Sequence, residues 1–357
     1  MRRPWHAVLT ALALCALVLA GCAGAGAKDN ASIRAKVVCT TFAAYDWTMQ
    51  VLGDEADQYE VTYLLSSGVD LHSYQPTVAD MVRVSGADLF VYVGGESDAW
   101  AHDAIASASN PNLHALSLLD AVGDAALEEE EVEGMEAPRG EHEHGEGEGH
   151  GEGEGHGEGE EHAEHGDHEH GEGDEHEEPE LDEHVWLSLR HAQTITRTLA
   201  DELAAIDPQN TDVFHRNAQA YNAKLADLDA RYAQVVDAAP HDTFVFADRF
   251  PFRYLAEDYG LRYYAAFSGC SAETEASFAT VIFLAKKLDE LGLSSVLVTD
   301  GSNQRMAQTV ILSAQPTDRQ ILVLDSLQST KGQDIQAGKT YLRTMEHNLQ
   351  VLKTALA

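Results

Sequence analysis

Histidine is the residue type in this chain whose placement most suggests chemistry. Nine of the 18 histidines fall in one acidic, glycine-rich stretch: His142, His144, His150, His156, His162, His165, His168, His170 and His176. Neutral imidazoles on a flexible chain can collect several zinc ions weakly and exchange them quickly. The plainer alternative is a solvated acidic linker. Two further histidines have distinctive surroundings. His72 sits in Gly68-Val-Asp-Leu-His72-Ser-Tyr-Gln-Pro-Thr77, between the end of an expected strand and the start of an expected helix. His184 sits in Asp182-Glu-His184-Val-Trp-Leu187, where apolar character returns after the polar tract. Imidazole suits Zn, Cu, Ni and Fe. Taken alone, each of the two is more often an ordinary surface or core histidine.

The elements that must position these residues alternate. Val37 to Phe42 is an apolar, β-rich run, Tyr45 to Leu52 reads as a helix, and Tyr59 to Leu65 alternates as a strand. A helix follows from Thr77, and then a strand from Leu89 to Val93. This β-α-β-α-β order implies a mostly parallel sheet covered by helices. The order returns with strands Thr243 to Phe246, Tyr263 to Phe267, Ser295 to Thr299 and Ile321 to Leu324. The helices between and after them are Phe250 to Tyr259, Ala276 to Leu291, Arg305 to Ala314 and Thr340 to Leu356. Between the two blocks, Phe214, Ala218, Tyr221, Leu225, Leu228, Tyr232 and Val235 recur at steps of four and three. They form one stripe of a long helix starting after Pro208. The expected fold is therefore α/β: two Rossmann-like lobes, 33–127 and 240–357, with mostly parallel sheets. A helical region, 181–239, contains the long bridging α-helix, and the ligand is expected in the inter-lobe cleft. The Glu, Gly and His of 128–180 cannot bury enough apolar surface to offset ordering entropy, so this segment is expected to be a disordered loop.

The segments around His72 and His184 resemble the metal-binding (zinc and manganese) substrate-binding lipoproteins of ABC importers. That family reads G-x-x-x-H-x-Y/F-E/Q-P at its first ligand, matched by Gly68, His72, Tyr74, Gln75 and Pro76. It reads D-P-H-x-W at its second, matched by Asp182, His184 and Trp186, with Glu183 in place of the proline. The resemblance implies two further ligands from the C-terminal lobe. One is an Asp at a strand end, which falls on Asp325 of Leu324-Asp325-Ser326-Leu327; an Asp merely capping the next helix is the alternative. The other, a His or Glu ahead of a helix ending Tyr-Gly, falls on Arg249, which is no ligand. Either neighbouring Asp248 takes the place, or Arg249 anchors a carboxylate near the site, or a water completes four-coordinate zinc. Glu273 and Glu275 resemble the family's acidic turn and need no role beyond a helix N-terminus.

The resemblance further implies a carrier that passes Zn2+ to an ABC transporter permease, with Mn2+ or iron as the alternative cargo and adhesion as an alternative role. The histidine-rich loop favours zinc, since manganese prefers oxygen ligands.

Residues 1–22 read as a signal peptide: a basic start at Arg2 and Arg3, then an apolar run too short to span a membrane. Leu19-Ala20-Gly21-Cys22 resembles the bacterial lipobox. It implies acylation at Cys22, and hence an extracytoplasmic lipoprotein held to the cell membrane by that anchor, with 23–32 as a linker; ordinary secretion is the alternative. Cys39 and Cys270 lie in different halves of the chain and are expected as buried free thiols rather than a pair. Of the net charge of −37, residues 128–183 carry −25. No basic stripe offsets this, which speaks against a nucleic-acid partner. A monomer is expected. No His-Glu-x-x-His or nucleophile elbow is present, so a metallohydrolase, and an enzyme of any kind, is the weaker reading.

Overall fold

The computed structural model describes residues 33–136, 180–271 and 276–357. The signal sequence, Cys22, Glu273, Glu275 and the nine loop histidines lie outside the described residues. The N-terminal lobe runs β1 (Ala35–Cys39), α1 (Phe42–Leu52), β2 (Tyr59–Tyr63), α2 (Val78–Ser85), β3 (Leu89–Tyr92), α3 (Trp100–Ala106), β4 (His114–Ser117) and α4 (Leu118–Val122). Two long helices follow, α5 (Leu189–Ile206) and α6 (Thr211–Asp237). The C-terminal lobe runs β5 (Thr243–Phe250), α7 (Arg253–Tyr259), β6 (Arg262–Ser268), α8 (Phe278–Leu291), β7 (Ser295–Thr299), α9 (Arg305–Ser313), β8 (Gln320–Leu324), α10 (Gly332–Gln336) and α11 (Tyr341–Ala355).

Each lobe is built on a four-stranded sheet with the same order, β2-β1-β3-β4 and β6-β5-β7-β8. Every pairing is parallel, as the strand–helix alternation requires. The expectation of two α/β lobes joined by a long helix holds. In α6, six residues of its stripe, Phe214, Ala218, Tyr221, Leu225, Leu228 and Tyr232, are buried over 27 residues.

The two lobes share one apolar cluster, and each also has a smaller cluster of its own, around Phe90 in the N-terminal lobe and around Val296 in the C-terminal lobe. A continuous apolar cluster takes in Val37 and Val91 of the N-terminal sheet, Leu199 and Leu225 of the long helices, and Phe246, Leu297 and Leu352 of the C-terminal lobe. Trp186 and Tyr341 pin the junction. The Trp186 indole donates to the Ser326 carbonyl at 3.0 Å, and the Tyr341 hydroxyl donates to the Trp186 carbonyl at 2.7 Å.

The structure departs from the sequence expectation in three places. First, β5 continues to Phe250 through an irregularity between Phe246 and Arg249, and α7 starts only at Arg253. Pro251 is the reason, because the residue before a proline is driven out of the helical region. Second, α3 and β4 are additional elements; the four residues of β4 are too few to show a pattern. Third, residues 128–136, placed in the loop by composition, lie ordered against the C-terminal lobe. Glu128 bridges Leu181. Tyr263 donates to Glu130 at 3.0 Å, and Glu136 accepts from Thr280 at 2.8 Å. Val132 and Met135 supply apolar contacts that the flanking acids conceal in a composition count. Among the described residues, no helix is long and apolar enough to cross a membrane.

Candidate metal centre

His72 and His184 are 112 residues apart in sequence, yet their Nε2 atoms lie 3.1 Å from each other. Local chemistry sets each ring. Asp70 caps the short turn Leu71–Ser73 by accepting the His72 backbone N–H at 3.0 Å. This turn follows β2, outside the carboxyl end of the sheet, where open α/β sheets bind ligands. The His72 Nδ1 faces Ser97 Oγ at 2.7 Å and Glu183 Oε2 at 3.6 Å. Ser97 is in turn placed by its backbone N–H, which donates to Glu183 Oε1 at 2.8 Å. Gly95, at φ +76°, leaves room for this carboxylate: a Cβ there would lie 2.5 Å from Glu183 Oε1.

His184 is fully buried. Asp182 Oδ1 accepts both its backbone N–H, at 2.8 Å, and its ring Nδ1–H, at 3.0 Å. The Tyr254 hydroxyl holds the Asp182 carbonyl at 2.7 Å. A carboxylate on Nδ1 puts the proton there and leaves Nε2 as a bare lone pair, the orientation that metal-ligating histidines show. Two Nε2 atoms turned toward each other at this range suit a shared cation.

Burial, with His184 and Arg249 alongside, pushes the His72 imidazole well below the ordinary histidine range. Proton competition for this nitrogen is therefore shifted to lower pH than at an ordinary histidine. Burial also raises the Glu183 carboxyl.

The sulfur of Cys270 joins the pair. The ligand atoms of His72, His184 and Cys270 all lie within 4.8 Å of one another. Sequence reasoning expected Cys270 as a buried free thiol; it is a free thiol but only half-buried. The signal that could have found it is its position in Ser268-Gly269-Cys270, just past the carboxyl end of β6. Cys39 is a buried free thiol at the end of β1 whose sulfur contacts Thr48 Oγ1 at 3.5 Å. Burial pushes Cys39 up to about 12, and burial with Asp182 and Glu129 alongside pushes the Cys270 thiol up further.

Two other expected ligands lie elsewhere. Asp325 is outside the His72–His184–Cys270 group. Its carboxylate accepts Lys339 Nζ at 2.7 Å and the Leu327 N–H at 2.8 Å, and the Lys339 ammonium offsets its charge. Asp248 accepts from Thr299 Oγ1 at 2.9 Å and from the Arg249 N–H at 2.9 Å. Arg249 reaches across the cleft and pairs with Asp70 at 2.9 Å. It thus anchors a carboxylate two residues from His72. A cleft of about 690 Å3 opens beside the centre, lined by His72, Ser97, His102, Glu129, Glu180 and Cys270 among others.

The sequence profile of the ZnuA family, zinc-uptake complex component A (periplasmic), matches residues 37–355. The chain belongs to this family. Among curated relatives it is 31% identical over 341 residues to the zinc-binding lipoprotein AdcA of Streptococcus pneumoniae, covering 95% of this chain and 59% of that protein. The chain thus spans less than two thirds of the length of that relative. It is 29% identical over 359 residues to the high-affinity zinc uptake system protein ZnuA of Bacillus subtilis, covering 100% and 99% of the two chains. Among solved structures, the Zn(II)-bound ZnuA-like domain of the pneumococcal AdcA superposes with a TM-score of 0.64 at 27% identity. That match covers 90% of this chain and 98% of the other.

Proposed function

We propose that this chain is an extracytoplasmic zinc-binding lipoprotein that captures Zn2+ in the inter-lobe cleft and delivers it to the permease of an ABC importer. The observation that carries the reading is the convergence of the His72 and His184 Nε2 atoms at 3.1 Å, with Asp182 on the far nitrogen of His184 and Ser97 on that of His72. Nitrogen donors favour zinc over manganese. The names of the relatives, zinc-binding and zinc-uptake proteins, support the same cargo. The role is that of a carrier, not a catalyst. Cys22 is proposed as the lipid anchor, and the histidines of residues 137–179 as a weak accessory store that feeds the cleft. Removing 137–179, rather than the whole of 128–180, keeps the contacts made by Glu129, Glu130 and Glu136.

The test is isothermal titration with zinc in a chain lacking 137–179. One tight site is expected. His72→Ala and His184→Ala should each remove most of the tight binding, and the double variant should be little worse than either, because residues serving one ion act as a unit. Full-affinity stoichiometric binding by His72→Ala would overturn the assignment.

A further inference from the structure

We propose that Cys270 supplies the third protein ligand, a thiolate from the C-terminal lobe, to the ion held by His72 and His184. The inference rests on the reading of those two histidines as ligands. Tetrahedral zinc at Zn–N distances of about 2.0–2.1 Å and a Zn–S distance of about 2.3 Å sets its nitrogens roughly 3.3 Å apart and nitrogen and sulfur roughly 3.6 Å apart. The histidine nitrogens stand at 3.1 Å, and all three donor atoms fall within 4.8 Å of one another. Small rotations of the side chains therefore close the triad on an ion.

The backbone around Cys270 is built for this approach. A Cβ at residue 269 would lie 3.0 Å from His184 Cε1 and 2.9 Å from the Phe250 carbonyl oxygen, so only glycine lets the β6 turn come this close to the ring. The Cys270 N–H donates to Glu129 Oε1 at 3.0 Å, which fixes the turn against the strap 128–136. The sulfur accepts the Glu183 backbone N–H, and the thiol donates to the Glu129 carboxylate. On coordination the S–H bond is replaced by an S–Zn bond. The proton passes to Glu129, which lines the cleft, and on to solvent.

The other candidates on this side of the cleft are committed elsewhere. Arg249 has no lone pair to give and holds Asp70. Asp325 is neutralised by Lys339. Asp248 is tied to Thr299. A thiolate in place of a carboxylate also carries a consequence for cargo, since soft sulfur favours zinc and disfavours manganese.

X-ray absorption at the zinc edge, on the full chain loaded with one equivalent of zinc, tests this directly. The wild type should show one sulfur scatterer at about 2.3 Å beside nitrogen scatterers at about 2.0–2.1 Å. Residues 137–179 contain no cysteine, so zinc held there cannot produce the sulfur signal. Cys270→Ser should lose the sulfur and bind zinc more weakly, by at least the roughly 10- to 100-fold that loss of an outer partner costs. Cys22→Ser should keep it. The wild-type spectrum needs no variant to fold. A nitrogen- and oxygen-only shell around zinc whose tight binding still depends on His72 overturns the role of Cys270 and leaves the histidines in place. Tight zinc binding that survives His72→Ala overturns the histidine reading, and this inference with it.

Discussion

At the scale of single residues, the candidate centre depends on which nitrogen of each imidazole is occupied. Asp182 holds His184 twice, by backbone and by ring, at 2.8 and 3.0 Å. It is the buried partner that keeps Nε2 free for an ion. Asp182→Asn should preserve the fold, because Tyr254 contacts the backbone carbonyl rather than the side chain. It should lower zinc affinity by about 10- to 100-fold. A competition titration against a chelator of known affinity would measure this, and unchanged affinity would contradict the role given to Asp182. Ser97→Ala, on the His72 side, should have a smaller effect in the same direction, because the Glu183 carboxylate stands next in line at 3.6 Å.

At the scale of elements, the loops at the carboxyl ends of the strands carry the chemistry, and some of them hold buried charge. The loop after β3 is held by Asp98, whose Oδ2 accepts the Val93 N–H at 2.7 Å. Burial, aided by the nearby Glu183 charge, raises the Asp98 carboxyl from 3.8 to about 7. Between those two values the folded chain binds more protons at this group than the unfolded chain does. Its contribution to stability therefore falls as pH rises through that window and is lowest above it. Asp98→Asn removes the effect. The stability of the variant relative to wild type should climb between about pH 4 and pH 7, by on the order of 2–4 kcal/mol. Urea unfolding at the two ends of the window checks this, and a difference that does not change with pH would refute it.

At the scale of the whole molecule, the shared core makes the lobes one cooperative unit. The larger apolar cluster runs from β1 through the long helices to α11, so neither lobe can unfold without breaking it, although each keeps a smaller cluster of its own. The Arg249–Asp70 pair also crosses the cleft, but both side chains are about a quarter exposed. Such a pair contributes little. Arg249→Ala should change the unfolding free energy by less than about 1 kcal/mol. Calorimetry should still show one transition, with calorimetric and van't Hoff enthalpies in agreement. Two separated transitions in the wild type would show that the lobes unfold independently.

The architecture was legible because it is encoded locally. Alternating strand and helix patterns identify two parallel α/β lobes, and the stripe from Phe214 to Tyr232 identifies the bridging helix. His72 and His184 could be paired because their flanking residues match the two ligand motifs of the family they resemble. The C-terminal side of the centre was not legible, because it depends on contacts between distant parts of the chain. Asp325 was read as a ligand, and the structure pairs its carboxylate with Lys339, 14 residues on. Arg249 looked like a defect until Asp70, 179 residues away, became its partner. Cys270 looked like a buried free thiol until the close approach at Gly269 set it beside His184. Residue type and spacing name the donors a chain owns. Only tertiary packing decides which of them remain uncommitted and face the same point, because the neutralising charges and the close backbone approaches come from elements far apart in sequence.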